Sequence, residues 1–101
     1  MTESKATDEF LNRDALGLAE LVKGRELSAL ELTEIVIRRI EASNPELNFM
    51  AAPDFDRARL RAPEMSLDTP FAGVPILIKD MIDVGGLLRT DGSRLNFQNI
   101  P

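Results

Sequence analysis

The run Ile76-Leu77-Ile78-Lys79, reached through the turn Gly73-Val74-Pro75, constrains the fold more than any other stretch. Its apolar residues do not alternate with polar ones, and two of the three are β-branched. That is the pattern of a strand covered on both faces. Such a strand needs neighbouring strands and covering layers. The lysine that ends the run carries the chemical interest. Burial disfavours the charged form of an ammonium group, so a lysine held against such an apolar wall could be neutral near pH 7 and could act as a base. Without further context, a lysine in this position more often lays its stem on the apolar surface and keeps its head in water.

Upstream the pattern is helical. Residues 1 to 13 are small, polar and charged, and are expected to form a flexible N-terminus. Asp14 is a candidate N-cap for a first helix carrying Leu18, Leu21 and Val22, with Gly24 as its stop. Ser28-Ala29-Leu30-Glu31 spells a capping box. Leu32, Ile35, Val36 and Ile40 then mark one apolar face, with Glu34, Arg38 and Glu41 elsewhere around the helix. Asn44-Pro45 is expected to end it, because the residue before proline avoids helical geometry. Leu47 to Ala52 reads as a short strand. Pro53-Asp54 opens a short helix with Phe55, Ala58, Arg59 and Ala62, and Pro63 to Pro70 reads as a loop. Val84 to Ser93 is loop or turn. The order helix–helix–strand–helix–strand predicts an α/β layered fold. Two strands covered on both faces want more layers than three short helices supply. The chain, closing on Phe97-Gln98-Asn99-Ile100-Pro101, therefore reads as a fragment of something larger.

Composition excludes several classes of function. A chain of 101 residues is one domain's worth, and its formal charge of −5 argues against a nucleic-acid binder. Arg57, Arg59 and Arg61 do cluster, but Asp54, Asp56 and Glu64 surround them, as on a solvated mixed-charge face. There is no cysteine and no histidine. Disulfides, thiolate chemistry, Ser-His or Cys-His couples within the chain, and imidazole metal ligands are excluded. Asp80 and Asp83 could be metal ligands or an acid–base couple, with Asp91 unplaced in a loop. Backbone hydrogen bonding in turns is the better reading. Gly85-Gly86 and Gly92-Ser93 read as turn chemistry rather than a phosphate cradle. No metal and no cofactor is expected. The start Met1-Thr2-Glu3-Ser4-Lys5 is no signal peptide, and no apolar run approaches a membrane span. A soluble, cytoplasmic protein without membrane contact is the expectation.

Two segments together carry a resemblance. Residues 28–48, Ser-Ala-Leu-Glu-Leu-Thr-Glu-Ile-Val-Ile-Arg-Arg-Ile-Glu-Ala-Ser-Asn-Pro-Glu-Leu-Asn, precede residues 70–93, which run from Pro-Phe-Ala-Gly-Val-Pro-Ile-Leu-Ile-Lys-Asp to Thr-Asp-Gly-Ser. In order and spacing they resemble the N-terminal part of the amidase signature family over most of residues 14–95. Within the family the wording is similar to bacterial amidases of the 6-aminohexanoate cyclic-dimer hydrolase type. The resemblance implies a mixed central sheet flanked by helices, of which residues 14–101 would be the N-terminal portion. It implies hydrolysis of carbon–nitrogen amide bonds by a Ser-Ser-Lys triad, in which Lys79 corresponds to the catalytic lysine. The family's glycine- and serine-rich segment, with both triad serines, finds no counterpart here. Ser28, Ser43, Ser66 and Ser93 do not sit in that motif. The isolated chain is therefore expected to be inactive. A small-molecule amide is the implied substrate of the complete protein, and the apolar face of residues 32–40 allows a homodimer. An amidotransferase A subunit, which draws ammonia from glutamine for tRNA-linked amidation, is a second enzyme reading. A non-catalytic remnant that binds or dimerises is a third.

Overall fold

Asp14 opens the first helix of the computed structural model, which describes residues 10–93, 95, 99 and 100. The Asp14 carboxylate accepts the Gly17 backbone N–H at 2.7 Å, satisfying one of the donors that every helix start leaves free. Helix α1 spans Ala15–Lys23 and buries Leu18, Ala19, Leu21 and Val22. It stops where expected, at Gly24, whose N–H returns to the Glu20 carbonyl at 2.9 Å. The left-handed residue of this turn is Arg25, at φ 61°, rather than the glycine. The frayed end expected over residues 1–13 lies, for residues 1–9, outside the described residues. Phe10 and Leu11 pack against the core.

Helix α2 spans Ala29–Leu47, and the capping box at its start is complete. Glu31 N–H donates to Ser28 Oγ, and Ser28 N–H donates to Glu31 Oε1, both at 3.0 Å. Its inner face buries Ala29, Leu32, Thr33, Ile35, Ile37 and Ile40. Val36, placed on that face by the sequence, is half-buried. The expected stop at Asn44-Pro45 is not observed, because α2 runs through Pro45 to Leu47. Proline at this position forfeits one backbone bond, to the Glu41 carbonyl, in the last turn. Glu41 is exposed, so that carbonyl can be solvated. The chain leaves the helix at Asn48, in the left-handed region at φ 49°. Asn44 Oδ1 accepts the N–H groups of Phe49 and Met50, at 2.9 and 3.0 Å. These two bonds replace the strand expected over 47–52: Leu47 is helical and residues 48–52 are irregular.

Helix α3 spans Phe55–Arg61, capped by the Asp54 carboxylate, and passes into a single 3-10 turn, Ala62–Glu64. Arg59 joins it to α2 through Glu34 and also bonds Asp56. The reading of these arginines as a solvated mixed-charge face thus holds only in part. The core gathers Leu18, Leu21, Val22, Leu27, Ala29, Leu32, Ile35 and Ala62, with Val36 and Val74 packed against it. Leu32 is its centre, at 0% exposure.

The strand expected at Ile76 to Lys79 is not formed. Residues 74–79 belong to no ladder, and Ile76, Leu77 and Ile78 are 76%, 58% and 47% exposed. A strand exists only through pairing, since its backbone groups need a partner outside the segment. The helices spend their own backbone groups internally, and no other described segment offers an edge. Among the described residues the chain is helical, and the α/β expectation finds no sheet there. None of its helices is long and apolar enough to cross a membrane among those residues.

Candidate functional site

The segment that carries Lys79 is fastened to the helices just before it leaves them. Ala72 is buried, and Gly73 sits at φ 73° against the start of α2. A Cβ at Gly73 would lie 2.9 Å from Ala29 Cβ and 3.1 Å from Val22 Cγ1. Only glycine allows both this backbone conformation and this approach. Val74 adds its side chain to the core, and the chain then runs outward along a groove of about 650 Å³. Its lining includes Ile37 and Ile40 of α2, Phe55 and Ala58 of α3, and Pro75 to Lys79.

Lys79 is exposed. The apolar wall that sequence reasoning placed around it is present in sequence but not closed in space. Its backbone is well held: the Lys79 carbonyl accepts from Met81 N–H at 2.7 Å and from Ile82 N–H at 3.1 Å. Lys79 also borders a second recess, of about 550 Å³, together with Ala51, Asp80, Met81, Arg89, Asp91 and Gly92.

The loop after Lys79 is closed on itself. Asp80 Oδ1 accepts the Thr90 backbone N–H at 2.7 Å, Asp80 Oδ2 accepts the Thr90 hydroxyl, and the Asp80 carbonyl accepts Asp91 N–H at 3.1 Å. The Thr90 hydroxyl, followed by its backbone N–H, holds the Asp80 carboxyl below the usual carboxylate range. Arg89 donates to Asp91 and Asp83, each at 2.9 Å, and these carboxylates hold its guanidinium still more firmly protonated. Arg57 of α3 reaches the loop through the Gly85 carbonyl at 2.7 Å. Gly86 and Gly92 take positive φ in turns, as the sequence suggested for these glycines. Asp80, Asp83 and Asp91 are thus engaged in turn and ion-pair chemistry. No cluster of three or more acidic residues able to hold a metal is present among the described residues.

Three of the serines do local work. Ser28 caps α2, Ser66 Oγ accepts Asp68 N–H, and Ser93 Oγ accepts Leu95 N–H, the latter two at 3.2 Å. Sequence reasoning missed Thr90, Arg89 and Asn44 as organising residues. Thr90-Asp91-Gly92-Ser93 is a visible turn signal, but its partner Asp80 stands ten positions earlier and no periodicity connects them.

Comparison with known proteins places the chain in a family. The family model described as Amidase matches residues 31–101, which include most of the capped helix, Lys79 and the closed loop. Over 69 residues the chain is 46% identical to 6-aminohexanoate-cyclic-dimer hydrolase of Pseudomonas sp. (strain NK87), covering 68% of this chain and 14% of that protein. The protein of the same name from Paenarthrobacter ureafaciens matches equally. The glutamyl-tRNA(Gln) amidotransferase A subunit of Thermoanaerobacter pseudethanolicus is 36% identical over 90 residues, covering 83% of this chain and 18% of that protein. The chain thus spans less than a fifth of the length of these relatives. No solved structure gives a significant match. With a family model that covers well over half of its length, this chain belongs to the amidase family.

Proposed function

We propose that residues 14–101 form the lysine-bearing N-terminal part of an enzyme that hydrolyses amide bonds, with Lys79 as its general base. The observation that carries this reading is the family match across residues 31–101, which takes in Lys79 and the fastened turn and loop on either side of it. The chemistry is that of a Ser-Ser-Lys triad. As base, the Lys79 amine accepts a proton from a bridging serine, which takes one from the nucleophilic serine as that oxygen attacks the amide carbonyl. The amine leaving group departs with a proton, and water then releases the acid from the acyl-enzyme. Both serines and the donors that stabilise the oxyanion would come from outside residues 14–101. In the same protein residues 76–79 would join a mixed sheet flanked by helices, whose neighbouring strands cover Ile76, Leu77 and Ile78 and keep the Lys79 amine in an apolar setting. A small linear or cyclic amide is the proposed substrate, by likeness to the cyclic-dimer hydrolases.

The test is amine or ammonia release from simple carboxamides and cyclic amides by the native protein and its Lys79→Ala variant. A loss of about a thousandfold or more in kcat is expected. Equal turnover by the two proteins would refute the assignment. The similarity to the amidotransferase protein supports a second reading, in which glutamine is the amide donor. Glutamine-dependent ammonia release that exceeds release from cyclic amides would favour it.

A further inference from the structure

We infer that Asp80 and Thr90 are positioning residues for Lys79, because their clasp closes the loop between them and fixes the backbone that carries the lysine. The inference rests on the reading of Lys79 as the base. Three bonds join the two ends of this loop: both oxygens of the Asp80 carboxylate are taken by Thr90, and the Asp80 carbonyl receives Asp91 N–H. Gly92 N–H bonds the Thr90 hydroxyl in turn, at 3.2 Å, and Ser93 N–H bonds the Thr90 carbonyl at 2.9 Å. Thr90 therefore stands at the centre of a bonded unit reaching from residue 79 to residue 93, since the Lys79 carbonyl holds Met81 and Ile82 at the other end. Arg89 clamps the same unit from its outer side through Asp83 and Asp91.

Upstream of the lysine the nearest packed residues lie several positions away. The last fastening on that side is Gly73 and Val74, packed on the helices, and residues 75–79 form no ladder. An amine on a long flexible stem must meet a serine hydroxyl within about 3 Å to accept its proton. In the sheet proposed above, pairing would hold residues 76–79 along their length, and Lys79, as the last of them, still needs a hold where the strand ends. The clasp supplies the downstream hold one residue away. Charge-assisted hydrogen bonds to a carboxylate are the strong kind, which suits this task. The depressed protonation of Asp80 agrees with a carboxylate kept charged by its partners.

The experiment uses the intact native protein with Thr90→Val, Thr90→Ser and Asp80→Asn. Hydrogen exchange over the peptide spanning residues 76–92 reports the clasp directly. Thr90→Val should speed exchange of the amides of residues 81, 82, 90 and 91 by about tenfold, and Thr90→Ser, which keeps the hydroxyl, should restore protection. Amide hydrolysis reports the consequence. Thr90→Val and Asp80→Asn should lower kcat by about tenfold or more with KM nearly unchanged, and Thr90→Ser should recover most of the loss. Unchanged exchange in Thr90→Val, or a loosened loop with full kcat, overturns the inference. If the wild type and Lys79→Ala hydrolyse amides equally, the assignment of Lys79 as base fails, and the exchange measurement still decides whether the clasp fixes the lysine backbone.

Discussion

Single side chains in this protein act mostly by satisfying backbone groups, and their effects can be ranked from geometry. Ser28 meets one free donor at the start of α2 and positions Glu31 to meet another. Ser28→Ala should cost about 1 kcal/mol in urea unfolding. Combined with Glu31→Ala it should cost less than the sum of the two, since the bonds form one reciprocal unit. Two glycines at φ 73° give an internal control. Gly92 has open space around a Cβ, whereas Gly73 would press one against Ala29 and Val22. Gly92→Ala should therefore cost about 1 kcal/mol from the backbone alone. Gly73→Ala should cost measurably more, because the backbone of α2 cannot retreat. Asp80 adds a pH dependence. Its folded protonation equilibrium is depressed, so its stabilising bonds are present above the ordinary carboxylate range and are lost as pH falls through the lower folded value. The Thr90 amide resonance should report this loss with a midpoint below that of an unperturbed aspartate. A midpoint at or above the ordinary value would contradict the clasp.

At the scale of elements, short-range signals decide the helices and fail for the strands. Capping residues at Asp14, Ser28 and Asp54 all occur where a helix begins. These signals are legible because cap and helix lie within a few residues of one another. The end of α2 escapes the proline rule, which describes a local steric preference, because one lost bond is tolerated near a solvated terminus. Asn44 then determines the exit by holding Phe49 and Met50. Asn44→Ala should loosen residues 48–50 and cost about 1 kcal/mol, read as faster amide exchange at Phe49 and Met50. The Arg59–Glu34 link between α3 and α2 is more than a third exposed on each side, so its coupling in a double-mutant cycle should stay below about 1 kcal/mol and shrink with added salt.

The whole molecule divides into a packed helical unit and an arm that leaves it. Leu32→Ala, at the centre of the former, should cost about 2–5 kcal/mol. Leu77→Ser, on the exposed arm, should change the unfolding free energy of this chain by only about 0.5 kcal/mol. Comparable losses would mean that the arm belongs to the core. Sequence alone determined the helix starts, the apolar face of α2, the lack of histidine and cysteine chemistry within these 101 residues, and the family, through the order and spacing of residues 28–48 and 70–93. Each of these is carried by neighbouring residues or by residue type. Only the tertiary structure decided that residues 76–79 are unpaired, that Asn44 steers the chain out of α2, and that Asp80 closes onto Thr90. Such features depend on groups brought together across a fold. A strand needs a partner that its own residues cannot supply, and a carboxylate ten residues from a hydroxyl leaves no period in the chain to announce the bond.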